Sequence, residues 1–109
     1  PWHRLEPEKG HEVVTDGYSE GIALALTART PDRRLSVTYI PSTGIDTREL
    51  TVDLTKFAGP ITARWYNPAD GRWKNIQGSP LPNRGSHSFG TPGDNGTKTN
   101  DWLLVLEVR

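Results

Sequence analysis

The residues of this chain that could carry chemistry are three histidines, a scatter of carboxylates and four tryptophans, and their spacing decides what each could do. His11-Glu12-Val13-Val14-Thr15 opens like the helix of a zinc protease, in which a second His completes the metal site and the Glu serves as base. Thr15 stands where that second ligand is needed, and the segment has no helical period, so the zinc reading fails. His3 and His87 stand alone and read as ordinary surface or interface residues. Gly93-Asp94-Asn95-Gly96, followed by Asn100 and Asp101, is rich in oxygen donors and raises the question of a calcium loop between Asp94 and Asp101. An EF-hand alternates its ligands and closes with a bidentate Glu. Here the spacing differs and Lys98 interrupts, so a polar turn leading into a strand accounts for the same residues. With no Cys, thiolate nucleophiles, thiolate metal ligands and disulfides are excluded together. No Gly-rich phosphate loop links a strand to a helix, and no nucleophile has a base at a telling spacing. Neither a cofactor nor a catalytic residue is expected.

The tryptophans carry more information. Asn67-Pro68-Ala69-Asp70-Gly71 has Pro to fix φ and Gly to accept positive φ, which marks a hairpin loop. A hairpin closed there pairs Asn67 with Arg72 and Tyr66 with Trp73. That register places Thr62, Arg64, Tyr66, Trp73, Asn75 and Gln77 on one polar, aromatic surface. The opposite surface carries Ile61, Ala63, Trp65 and Ile76, a core pattern, with Lys74 reaching the edge. Trp65 is thus expected buried and Trp73 exposed. An exposed Tyr66–Trp73 pair beside Arg64, Asn75 and Gln77 could stack on sugar rings and hydrogen-bond their hydroxyls. Cross-strand stabilisation, docking onto another domain, and an inward turn of Trp73 at a bulge are the competing readings.

The elements that must position these residues are strands. The 109 residues include 11 Gly and 9 Pro in short clusters, which divide the chain too often for helices of ordinary length. From Gly21 onward the apolar period is two. Strands are expected over 22–30, 34–40, 48–54, 61–67, 72–78, 86–91 and 101–109, with a further short one at Val13-Val14. This predicts an all-β, antiparallel two-sheet sandwich of seven to eight strands, with no helix and with consecutive strands paired. Residues 1–21 form a lead-in draped over a sandwich of residues 22–109. Ile22, Leu24 and Leu26 are assigned to the core, as are Leu35, Val37 and Tyr39, and Leu50, Val52 and Leu54. Thirteen basic and thirteen acidic residues balance, which disfavours nucleic acid or an anionic membrane as partner. No run is long and apolar enough for a signal peptide or a membrane span. The chain begins at Pro1 and has no Met, so a processed or excised piece is expected.

The last strand breaks the alternation. Trp102, Leu104, Leu106 and Val108 fill one face, while Leu103 and Val105 make the other apolar too. Such a strand lies centrally or under another element. Trp2, Leu103 and Val105 are therefore candidate interface residues, covered by the lead-in or by a neighbouring domain.

Several stretches together resemble a known family: Ala28-Arg29-Thr30-Pro31-Asp32, Leu35 to Pro41, Leu50-Thr51-Val52-Asp53-Leu54, the hairpin from Gly59 through Trp65-Tyr66-Asn67-Pro68 to Gly71, and Asp101-Trp102-Leu103-Leu104-Val105-Leu106-Glu107. The family is labelled "putative collagen-binding domain of a collagenase", and the resemblance runs from about Trp2 to Glu107. It implies a β-sandwich at the C-terminal end of secreted bacterial proteins, extracellular or periplasmic. Their main domain, upstream in the chain, is a (β/α)8 barrel related to glycoside hydrolases, including apiosidase-like enzymes. The catalytic acids belong to that barrel and none has a counterpart here. The implied role is a non-catalytic accessory domain that supports or targets the barrel; a genuine polysaccharide- or collagen-binding module using exposed aromatics is the alternative. Arg33 departs from the family pattern, standing where a turn Gly is common after Pro-Asp, and residues 42–47 lengthen the next hairpin.

Overall fold

The computed structural model describes residues 5–7, 13–16, 26–41, 49–68, 71–76, 78–92 and 101–108. Among them are nine strands: β1 (Glu6–Pro7), β2 (Val14–Asp16), β3 (Leu26–Arg29), β4 (Leu35–Ile40), β5 (Glu49–Asp53), β6 (Ile61–Asn67), β7 (Arg72–Asn75), β8 (Ser86–Gly90) and β9 (Trp102–Val108). A 3₁₀ turn, Leu54–Lys56, follows β5, where Asp53 accepts a hydrogen bond from the Thr55 amide at 3.0 Å. Six strands form one sheet in the order β1-β3-β4-β9-β6-β7, and three form the other in the order β2-β5-β8. Every pairing is antiparallel. The all-β sandwich expected from the period-two pattern is therefore the fold.

The core lies between the sheets. The large sheet contributes Ile40, Ile61, Ala63, Trp65, Trp102, Leu104, Leu106 and Val108; the small sheet and its flanks contribute Val13, Val14, Leu50, Val52, Leu54, Phe57 and Phe89. Trp65 and Trp102 meet edge to face, with ring centroids 6.3 Å apart, a favoured aromatic geometry. Removing these side chains from water supplies the main driving force, on the order of 2 kcal/mol for each large one.

The structure corrects several expectations. Two consecutive pairs, β3–β4 and β6–β7, are hairpins, but β4 pairs with β9 and β5 with β8, so strands cross between sheets as in a sandwich. The lead-in does more than drape: β1 pairs with β3 in the large sheet and β2 with β5 in the small one. The facing of β3 and β4 is reversed. Leu26 is 60 % exposed and Tyr39 38 %, whereas Thr27, Ser36 and Thr38 point inward and are buried. Leu35 shares the outer parity, opposite Glu107; it is buried but lies outside the inter-sheet core, and Val37 is half-buried on the same face. Residues 22–25 and residues 93–100 of the oxygen-rich loop lie outside the described residues, as do Trp2 and Gln77.

Candidate functional site

Strand β9 organises the outer face of the large sheet. Its side chains alternate between the core and the opposite surface, and its neighbours β4 and β6 follow that alternation because directly opposed residues share a face. On the β6 side, Leu103 opposes Tyr66, Val105 opposes Arg64 and Glu107 opposes Thr62. One strand further out, Tyr66 opposes Trp73, Arg64 opposes Asn75 and Asn67 opposes Arg72, the register expected from the Asn67–Gly71 loop. Gly71 takes φ +74°, which is why a glycine closes this loop. Arg64, Tyr66, Trp73 and Asn75 are thus brought together on one surface, with Trp65 buried behind them and Trp73 44 % exposed.

The side chains on this surface are already engaged with one another. The Tyr66 and Trp73 rings lie 4.8 Å apart, tilted by 58°. The Arg64 guanidinium sits 4.3 Å above the Trp73 ring, a cation–π contact, and its Nη2 is 3.5 Å from Glu107 Oε1. Arg64 Nε is buried and makes no hydrogen bond, so the stacking on Trp73 is achieved with one donor unsatisfied. Glu107 was not among the residues singled out in the sequence. It lies on the outer face of the terminal strand, opposite Thr62, and only the β6–β9 register brings it to Arg64.

Thr62, Arg64, Asn75, Glu107 and Val108 line a shallow concavity of about 500 Å³. A second, of about 350 Å³, shares Thr62 and Asn75 and extends to Ile76, Gly78 and Pro80. Among the described residues, the first concavity is lined by one carboxylate, Glu107, already bonded to Arg64. Among the described residues, no cluster of His, Cys, Asp or Glu could hold a metal ion. Chemically, then, the surface can offer the free part of the Trp73 ring for stacking and Asn75 and Arg64 for hydrogen bonds.

The candidate interface residues separate. Val105 is 1 % exposed within the domain itself, although it lies outside the inter-sheet core, so it has no surface left for a partner. Leu103 is only half-buried. Tyr39, on β4 directly opposite Leu103, donates a hydrogen bond from its hydroxyl to Asp101 Oδ2 at 3.2 Å; burial, followed by the Asp101 charge and this bond, raises its pKa.

At the far end of the β3–β4 hairpin, Arg33 takes φ +63°, a left-handed conformation that usually selects glycine. Its guanidinium donates to Thr55 O and Lys56 O, both at 2.8 Å, and its carbonyl accepts from the Ala58 amide at 3.0 Å. The departure from the turn Gly therefore ties a hairpin of the large sheet to the 3₁₀ turn that follows β5 in the small one.

Fold and surface together define a small antiparallel β-sandwich domain that displays aromatic residues on an open sheet face. The chain belongs to the family described as "putative collagen-binding domain of a collagenase", which matches it over residues 11–107. A solved structure described as a glycoside hydrolase is similar in fold, with a TM-score of 0.76 and 22% sequence identity over 99% of this chain. The alignment covers 22% of that larger chain, so the domain spans about a fifth of its length. Comparison with curated proteins gave no match.

Proposed function

We infer that this chain is a non-catalytic accessory domain of a larger, secreted glycoside-hydrolase-like protein, supporting or targeting a (β/α)8 catalytic barrel upstream in the same polypeptide. The observation that carries this reading is the relation of lengths: nearly all of this sandwich superposes on about a fifth of a chain described as a glycoside hydrolase. The surface chemistry is compatible with this reading, since Glu107, which lines the concavity, is already paired with Arg64. The test compares the full-length protein with a version lacking this domain and with the domain alone. The domain alone is expected to cleave no glycan. Its removal is expected to lower the thermal midpoint of the remainder, or its retention on insoluble polysaccharide, while leaving turnover of a small soluble glycoside unchanged. Glycan cleavage by the isolated domain overturns the reading.

A second reading, a genuine carbohydrate- or collagen-binding module, is favoured by one observation: Trp73 remains 44 % exposed beside Arg64 and Asn75. Because the guanidinium occupies one side of the ring, a sugar would stack on the remaining face or displace Arg64. Retention of the isolated domain on pectin, xylan and fibrillar collagen tests this, with Trp73→Ala as the variant. Binding lost in the variant supports the module; no retention of the parent leaves the supporting role.

A further inference from the structure

The register across the large sheet aligns five large side chains in one row. Leu26 opposes Tyr39, Tyr39 opposes Leu103, Leu103 opposes Tyr66, and Tyr66 opposes Trp73. All five lie on the outer face, and the row crosses β3, β4, β9, β6 and β7 without a polar interruption. At about 4.8 Å per strand the row is about 19 Å long. Among the described residues, its ends and its second position are the exposed large hydrophobics: Leu26 60 %, Tyr39 38 % and Trp73 44 %. An antiparallel sheet with one solvated face places polar residues there. Cross-strand stabilisation explains the Tyr66–Trp73 contact but gives no reason for an exposed Leu26 at the opposite end of the row.

We propose that this row is the surface on which the domain docks against a folded neighbouring domain of the same polypeptide, an apolar protein surface rather than a glycan. The proposal rests on the accessory-domain reading, which supplies the neighbour: this fold makes up about a fifth of the similar chain. The choice of protein over sugar comes from the residues next to the row. On β3 and β4 these include Ala28 and Val37, which offer no side-chain donor or acceptor, and the polar pair at this end, the Tyr39 hydroxyl and Asp101, is already joined by a hydrogen bond. A polysaccharide lying along the row would meet Leu26, Leu103 and a Tyr39–Asp101 pair already bonded to itself, whereas an apolar domain surface needs no hydrogen bond there. Three aromatic side chains along the row, with Arg64 beside Trp73, are residue types enriched in protein interfaces. Leu103 belongs to this interface as the middle of the row.

Hydroxyl-radical footprinting of the full-length protein and of the isolated domain tests the assignment. Labelling of Leu26, Tyr39 and Trp73 is expected to fall severalfold in the full-length chain, while His87, on the small sheet, changes little. Equal labelling in the two samples overturns the docking face, as does protection of the isolated domain by added soluble polysaccharide. If the full-length protein contains no second folded domain, the accessory reading itself fails, a distinct outcome. Leu26→Asp provides a second measurement. Its exposure keeps the isolated domain's midpoint within about 3 °C of the parent. In the full-length chain the same substitution is expected to split one unfolding transition into two; an unchanged single transition counts against docking at this row.

Discussion

The hairpins β3–β4 and β6–β7 flank β9 on the same sheet, yet they divide their residues between inside and outside by opposite rules. In β6–β7 the apolar face is the buried one: Ile61, Ala63 and Trp65 look inward, and Arg64 and Asn75 look outward. In β3–β4 the inward positions hold Thr27, Ser36 and Thr38, while Leu26, Val37 and Tyr39 look outward. The difference originates in β9, whose outer Leu103 and Val105 stand directly opposite Tyr39 and Val37. Ile40, fully buried against Trp102 in register, fixes the parity of β4 from its C-terminal end, and Ser36 and Thr38 share that parity. Facing is therefore a property of the pairing partner as much as of the strand.

The largest effect expected from this contrast separates Trp65 from Leu26. Trp65→Ala removes a 5 % exposed ring from the core and from its edge-to-face partner, at a cost of about 3–5 kcal/mol. Leu26→Ala, at an exposed position, changes the stability of the isolated domain by no more than about 0.5 kcal/mol. Chemical denaturation of both variants measures this. A loss of several kcal/mol at Leu26 would restore the simple alternation and break the contrast.

The inward polar face of β3–β4 is satisfied in part by itself, since the Thr27 and Thr38 hydroxyls bond each other at 2.9 Å in a buried setting. Thr38→Val leaves the Thr27 hydroxyl alone there and is expected to cost about 1–3 kcal/mol. The double variant Thr27→Val/Thr38→Val removes both hydroxyls and is expected to recover most of that loss. Denaturation midpoints of the single and double variants decide. Additive losses would show that the hydroxyls act independently.

These contrasts mark what the amino-acid order makes legible. The β6–β7 hairpin was readable because one loop, Asn67 to Gly71, sets its register and because Trp65 and Trp73 have opposite needs. The inward placement of Leu50, Val52 and Leu54 followed from alternation alone. In β4 the alternation of Leu35, Val37 and Tyr39 against Ser36 and Thr38 pointed the wrong way, because a strand beside an element apolar on both faces can satisfy either parity. Ile40 held the contrary signal, but only pairing with Trp102 gives it weight. Glu107 and the full row from Leu26 to Trp73 were illegible for the same reason: each depends on registers between strands far apart in sequence. The crossing of β4 to β9 and β5 to β8 is likewise a matter of long-range pairing, which turn chemistry does not report.

The turns of the two hairpins sharpen the comparison at about 1 kcal/mol. Both require a residue at positive φ, filled by Gly71 in one and by Arg33 in the other. At Gly71 an added Cβ meets Tyr66 Oη at 3.6 Å, an ordinary contact, so Gly71→Ala is destabilising through backbone strain, by about 1 kcal/mol. Arg33 accepts that strain and offsets it with its bonds to Thr55 O and Lys56 O. Arg33→Ala keeps the strain and loses the bonds; Arg33→Gly loses the bonds but relieves the strain. The expected order of thermal midpoints is the parent, then Arg33→Gly, then Arg33→Ala. A glycine variant more stable than the parent would show that the guanidinium bonds contribute nothing in water.

The smallest effect concerns the tyrosines that face each other across Leu103. Tyr39 has its pKa raised above 10.0 by burial and by Asp101, whose carboxylate repels a phenolate and accepts the bond of the neutral phenol. A raised pKa in the folded state means that the neutral side chain is favoured by folding. The contribution is fully present below the unfolded value and is lost as pH rises through the folded one. Because Tyr39 is 38 % exposed, solvent screens the interaction and the change is modest. Denaturation midpoints followed upward from neutral pH through about pH 11 should fall more steeply for the parent than for Tyr39→Phe. Parallel curves would mean that Asp101 and the surrounding sheet do not hold the phenol neutral. The β4 end of the row would then be as open to water as its exposure alone suggests, leaving the aromatic pair on β6–β7 as the organised part of the surface.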